Sequence, residues 1–462
     1  MNGHSHDLFE FIAEFGTRRA SPALLQAAAN RLMDTLGCAL YGGGQEWTRI
    51  LLKTVSNCPG QATAFGGRAP LTAEAAALCN GTAAHGFELD DVIIDALAHP
   101  GAVVVPAVFA VAEEENIGGA ELLKAIVAGY EVMGRLGRAL GPQASGRGWH
   151  LTCVAGPSAS AVAVSVLLGF NAEQIANAVG IACASGGGNK AFSVSGGMVK
   201  RLHAGLASRA GILAARLAQS GFTGPTAALD GQFGLLEVIA GQGQRPAMLD
   251  SALGERFEIA DNTSVKIYPC CQVLQSTLEA VVKLRREHGI SKDNTKALRV
   301  GSSERAVTQN NERAPADLMA AQYSLPFCAS LAMQDDPVDP RLFSPDALVD
   351  SRIKSFMDRI SMYVDDTMHA AYPRAMGARV SIELADGRVV EEAIVDAHGT
   401  AAAPCSDMEL EGKFRRLAGL AVGDAAAARL LAAIGNLKQG GGVKPLSQAL
   451  RAAPAFAELS SN

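Results

Sequence analysis

Four long segments of this chain are apolar on most of their faces, and nothing else in it constrains the fold so strongly. Val103 to Glu115, Ala120 to Leu140, Leu151 to Leu168 and Leu206 to Ser220 all carry helical spacing with few charges. A helix with one apolar stripe can lie on the surface of a core, but one that is apolar all round must be enclosed by other elements. The four segments therefore predict the centre of an all-helical bundle. Abundant alanine and 49 glycines, with only 5% aromatics, suit helices whose backbones approach closely.

Outer helices are legible from their ends. Ser21-Pro22 is an N-cap followed by proline at the first helical position. Leu25, Leu32, Leu36 and Leu40 then recur at helical spacing, and Gly42-Gly43-Gly44 ends the run. Thr72 with Glu74 starts another helix, which runs into a polar motif at His85. The pattern changes near Val265. Leu298-Arg-Val-Gly is a short strand candidate, and Ala378 to Val395 is a hairpin turning at Asp386-Gly387. Helices are expected between them at Val273 to His288 and Pro345 to Ile360, and the helical pattern resumes from Ser406. The expected architecture is mainly α, with a large all-helical domain over 1–262 that 404–462 packs back on. A smaller α+β domain, 263–403, would act as a lid. A chain of 462 residues has length for two or three domains.

Charge and cysteine usage exclude several classes. The net charge of -6, without a Lys/Arg-rich run, argues against a nucleic-acid partner. Nine cysteines without CxxC spacing read as buried thiols in a reducing compartment rather than a disulfide framework. Met1-Asn-Gly-His-Ser-His lacks the basic and apolar regions of a signal peptide. The longest apolar stretch, Leu151 to Phe170, is interrupted by Gly156, Pro157 and three serines, which suits a core helix better than a membrane span. The expectation is a cytoplasmic protein with no membrane partner.

Chemistry concentrates in Asn80-Gly-Thr-Ala-Ala-His-Gly-Phe-Glu-Leu-Asp-Asp91. It sets His85, Glu88, Asp90 and Asp91 against a small-residue helix, where ionisable groups are costly unless paired. His99-Pro-Gly can return a second imidazole to the same place. His150, in Gly-Trp-His, stands just before an apolar helix, whose positive end favours the neutral ring a general base needs. Lys200, Arg201 and His203 follow Gly196-Gly197, a grouping that can clamp a carboxylate or stabilise an enolate. Tyr268 and Cys271 lie in Lys-Ile-Tyr-Pro-Cys-Cys, at the expected domain junction. Ser185-Gly-Gly-Gly-Asn-Lys190 resembles a phosphate loop only superficially, because its glycine spacing is wrong and no Ser or Thr follows the lysine. Each group also has a structural alternative. His85 could be a core histidine on a backbone carbonyl, Asp90 and Asp91 caps, His99 a turn residue, His150 a polar cap, and Cys270-Cys271 packing. His4, His6, His288, His369 and His398 read as surface residues.

Taken in order, the Asn80–Asp91 motif, His99-Pro-Gly-Ala, Gly148-Trp-His, Lys200-Arg-Leu-His-Ala-Gly, Gly221-Phe-Thr-Gly-Pro and Lys266-Ile-Tyr-Pro-Cys-Cys resemble the MmgE/PrpD family over nearly the whole chain. That family contains 2-methylcitrate dehydratase, cis-aconitate decarboxylase and iminodisuccinate epimerase. The resemblance implies a homodimer and a site between two domains, without metal or organic cofactor. It carries functional positions onto Glu88, Asp90, Asp91, His99, His150 and Lys200. The decarboxylase branch looks to have aspartate at Glu88, histidine at Cys271 and tyrosine at Phe327, and these departures weigh against decarboxylation.

The expected function is a cofactor-independent hydro-lyase acting on a small hydroxylated di- or tricarboxylate such as 2-methylcitrate. His150 would be the base, Lys200 the enolate stabiliser and His99 the acid for the leaving hydroxyl. Glu88 and Asp91 would set the charge and tautomer of the histidines. His85, Asp90, Arg201, His203, Tyr268 and Cys271 would bind substrate. The alternatives are a cofactor-free epimerase of a small dicarboxylate and a non-catalytic carboxylate-binding protein.

Overall fold

The computed structural model describes residues 3–67 and 69–454, apart from the side chain of Val194. The chain is mainly α and divides into two compact units. Among the described residues, one comprises those up to Ala191, Met198–Thr263 and those from Ser406 onward; the other comprises Phe192–Gly197 and Ser264–Cys405.

The larger unit is a helical bundle. Its central helices are Ala73–His85, Gly101–Glu115, Gly119–Gly146, Leu151–Leu167 and Val199–Gln219. Every residue of Leu151–Leu167 is buried, as is every residue of Ala73–His85 except Glu74. This is the enclosure that their all-round apolar sequence demands. Pro22–Gly43 starts at Ser21, whose hydroxyl accepts from the Leu24 N–H. Ala73–His85 starts at Thr72, whose hydroxyl accepts from Ala75. Small residues set the spacing between the central helices. A Cβ added at Gly205 would lie 2.1 Å from the Leu78 carbonyl oxygen, so Val199–Gln219 can cross Ala73–His85 only with glycine there. That crossing brings the end of one helix, His85, to the start of the other, Lys200.

Two helices differ from their expected bounds. The expected Leu206 to Ser220 helix begins at Val199, one residue after Gly196 and Gly197 with φ of 73° and 94°, so Lys200, Arg201 and His203 lie in its first turns. The expected Ala120 to Leu140 helix continues to Gly146 across a break at Gly141 (φ 70°).

The smaller unit holds a four-stranded sheet in the order Ile360–Val364, Thr295–Ser302, Ala378–Leu384, Val389–Ile394. The first pair is parallel and the other two are antiparallel. Ala378–Leu384 alternates buried and half-buried residues, as a strand covered on one face must. Gln275–His288 packs on this sheet. The single helix expected from Pro345 to Ile360 is instead Pro345–Val349 and Ser351–Met357. Asp350 caps the second by accepting from Arg352 N–H, and Ile360 opens a strand. All nine cysteines are free thiols. Among the described residues, no helix is long and apolar enough to cross a membrane.

Candidate active site

The end of Ala73–His85 and the loop after it build one wall of the site. Glu88 adopts φ of 58°, a left-handed conformation that side chains rarely take and that surrounding structure must hold in place. This turn sends consecutive side chains in different directions. Glu88 forms a buried ion pair with Lys200, both nearly inaccessible to solvent. Asp90 Oδ2 lies 2.6 Å from His85 Nδ1 and 3.2 Å from His99 Nδ1. Asp91 turns the other way, accepting from the Tyr130 hydroxyl at 2.6 Å and from the Gly101 N–H at 2.9 Å. The carboxylate bonded to His85 and His99 is Asp90, while Glu88 pairs with a lysine and Asp91 with donors of the bundle core.

Four imidazoles meet here. The His85 ring is 4.8 Å from His99 and 5.7 Å from His150, and His150 is 5.1 Å from His203, between centroids. Their tautomers follow from their neighbours. His99 Nδ1 faces two acceptors, Asp90 Oδ2 and the Asp91 carbonyl at 2.9 Å, so Nδ1 carries the proton and Nε2 holds the lone pair. His99 is held from behind by its own N–H, which donates to the Thr152 hydroxyl at 3.2 Å. His85 donates from Nδ1 to Asp90, and its Nε2 is buried with no hydrogen-bond partner. His150 and His203 face each other through their Nδ1 atoms at 2.9 Å, which bond only if one carries a proton and the other does not.

Burial keeps His85, His150 and His203 neutral. It pushes His85 down to about 3 despite the opposing pull of Asp90, and His203 down to about 4 with help from the Lys200 charge. His150 is held well below its ordinary value by burial and then by its His85 and His203 neighbours. Burial also pushes Asp91 up to about 6, with Arg31 and the Tyr130 hydroxyl pulling it back. The site thus holds neutral, proton-accepting imidazoles in a region that disfavours extra positive charge.

His85, Asp90 and His99 present ligand atoms within 4.8 Å of one another and could hold a divalent ion. As they stand, the 2.6 Å contact between His85 Nδ1 and Asp90 is the length of a hydrogen bond. Two ligands of one ion, each about 2.0–2.2 Å from it, would stand farther apart. The arrangement describes a shared proton.

Arg201 Nε donates to the Gly86 carbonyl at 3.0 Å, and its guanidinium lies 4.0 Å from the centre of the Trp47 ring. Tyr268 and Cys271 belong to the smaller unit. There the Tyr268 backbone is clasped by the Gln275 side chain, and burial raises its hydroxyl pKa. The half-buried Cys271 donates its backbone N–H to Gln322. Phe327 is a core residue of that unit, its ring 6.4 Å from Phe343. Sequence reasoning missed Tyr130, Thr152 and Trp47. The first two sit inside apolar helical runs, and nothing in their spacing marks them as partners of a loop elsewhere.

Known proteins agree with this architecture. The model of the MmgE/PrpD N-terminal domain matches residues 6–247, and that of the MmgE/PrpD C-terminal domain matches residues 268–439. The chain belongs to the MmgE/PrpD family. It is 29% identical over 436 residues to a cis-aconitate decarboxylase-like protein of Aspergillus oryzae, covering 89% of this chain and 90% of the relative. It is 26% identical over 442 residues to the cis-aconitate decarboxylase of Aspergillus terreus, covering 90% of each. It is 25% identical over 417 residues to the human cis-aconitate decarboxylase, covering 85% of this chain and 83% of that one.

Proposed function

We propose that this protein is a lyase that takes a proton from a carbon next to a carboxylate of a small polycarboxylate and expels hydroxide from the neighbouring carbon. One observation carries the reading: two buried, neutral imidazoles, His150 and His203, share one proton beside the Glu88–Lys200 pair. When that proton sits on His150 Nδ1, His150 Nε2 is a base. Taking the substrate proton leaves an imidazolium whose Nδ1–H points at a neutral acceptor. A positioned base contributes about 10²–10⁴-fold. The Lys200 ammonium offsets charge developing on the substrate carboxylate. His99, the more exposed ring at 12%, acts as the acid in its imidazolium form, with Nδ1–H held by Asp90 and a second proton on Nε2 that leaves with the hydroxide as water.

The names of the relatives favour a second reading, decarboxylation of cis-aconitate. Against it stands Phe327, which has no proton donor and fills a core position. Purified protein should be offered 2-methylcitrate, citrate and cis-aconitate, with alkene absorbance and released CO₂ followed together. The first reading expects alkene from a hydroxylated acid and negligible itaconate. Many turnovers of CO₂ per second from cis-aconitate would establish the second. Inversion at carbon without alkene would mean an epimerase, and inertness toward all three would count against both lyase readings.

A further inference from the structure

The Ser185–Lys190 segment is not a phosphate loop, yet its path is specific. Its end runs antiparallel to Gly148-Trp149-His150. The His150 N–H donates to the Gly188 carbonyl at 3.0 Å, the Lys190 N–H donates to the Gly148 carbonyl at 2.8 Å, and Trp149 stands opposite Asn189. In such a ladder alternate residues share a face. His150 and Lys190 therefore emerge on one face of the pair. The residues opposite them are Gly188 and Gly148, so the ladder itself puts no other side chain on that face. Gly188 has no room for more. At φ of 86°, a Cβ there would meet Cys153 Cβ at 2.7 Å and His203 Cε1 at 3.2 Å.

We infer that Lys190 binds the carboxylate of the substrate that is remote from the reacting carbon, and so selects tricarboxylates over dicarboxylates that lack it. The inference rests on the polycarboxylate reading above. Diagonal residues on such a pair stand about 7 Å apart, a span that a lysine side chain and the third carboxylate arm of a tricarboxylate can bridge. Lys190 Nζ donates to the Ser145 hydroxyl at 3.0 Å, which steadies the ammonium with a neutral partner. Its charge also reaches His150, where it helps keep the ring unprotonated. The helix Leu151–Leu167 starts at this same place with its positive end. A carboxylate held here therefore meets a cation and a helix terminus, while the next carbons lie toward His150.

The test uses full-length protein and two inert ligands that differ by one carboxylate, tricarballylate and methylsuccinate, titrated calorimetrically into wild type, Lys190→Met and Lys190→Arg. Removing one charge-assisted hydrogen bond should weaken tricarballylate about tenfold or more in Lys190→Met. Methylsuccinate binding should be unchanged, and Lys190→Arg should recover most of the loss. With a turned-over substrate, Lys190→Met should raise KM and leave kcat within a few-fold. Equal weakening of both ligands, or of neither, overturns the role given to Lys190. If wild type binds neither ligand, the polycarboxylate reading itself fails and takes this inference with it.

Discussion

Two buried ionic clusters lie in the larger unit, and they are finished in opposite ways. In the first, Arg135 Nε donates to Glu131 Oε1 at 2.7 Å, and its Nη1 donates to the Ser251 carbonyl at 2.7 Å. Glu131 Oε2 accepts from the Glu258 N–H at 3.0 Å, and Glu258 is paired with Arg138 and bonded by Asn262 at 3.0 Å. Each carboxylate there is met by donors of fixed geometry, and opposite charges alternate. In the second cluster four imidazoles meet, and His85 and His99 face one aspartate. His85 Nε2 has no hydrogen-bond partner, and a single proton serves both His150 and His203. A saturated network rigidifies a fold, while an unsatisfied one costs stability and leaves atoms for a ligand to complete. The adjacent residues Asp90 and Asp91 repeat the contrast in miniature, one turned to the imidazoles and the other fully bonded in the core.

Substitution should separate the clusters. His150→Gln should lower kcat by about 10²–10⁴-fold, with the unfolding midpoint changed little. Arg135→Met should do the reverse, lowering stability by about 3–5 kcal/mol through the buried carboxylate it strands, with kcat of the folded fraction intact. Denaturant titration and steady-state kinetics on both variants read this out, and a crossover of the two effects would break the comparison. Tyr130→Phe removes one donor from Asp91 and should cost about 1–3 kcal/mol, while leaving the imidazoles and kcat nearly untouched.

The pH response should be smaller but has a definite sign. His85, His150 and His203 are depressed below the ordinary imidazole value of 6.5, to about 3 for His85 and about 4 for His203. The unfolded chain therefore takes up protons below 6.5 that the folded chain refuses. The stability these groups contribute is present above 6.5 and is lost as pH falls toward 4. Asp91 works against them. Its carboxyl is raised from 3.8 to about 6, so it favours the folded state at low pH and less so as pH rises through 6. Three imidazoles outweigh one carboxyl. Calorimetric melting points should fall between pH 6.5 and 4, and the acid limb of kcat/KM should lie below 6.5. The smallest expected effect is that of metal removal. Chelator treatment should leave activity unchanged, and a loss restored by a divalent ion would assign His85, Asp90 and His99 to a metal instead of a proton.

Much of this was legible before any coordinates. The enclosed helices follow from segments apolar on most faces, and the Asn80–Asp91 motif declares a site because ionisable groups crowd against small residues. What sequence could not show was direction. Which of Glu88, Asp90 and Asp91 meets the imidazoles depends on one left-handed residue, φ 58° at Glu88, and on a tyrosine 39 positions beyond Asp91. The pairing of His150 with His203 depends on where Val199–Gln219 begins, and the glycines before it conceal that start. In sequence Lys190 shows only a mismatched phosphate-loop pattern, because its place is set by the register of a short ladder with Gly148.

The central claim is that the imidazole cluster moves a proton at carbon. Its most direct test is ¹H NMR of a polycarboxylate substrate turned over in D₂O by wild type and by His150→Gln. The account predicts that wild type exchanges the hydrogen next to the carboxylate for deuterium as alkene forms, and that His150→Gln suppresses exchange and alkene together by about 10²–10⁴-fold. Alkene formation that continues in His150→Gln at the wild-type rate, or a wild type that leaves that hydrogen unexchanged while consuming substrate, would contradict it.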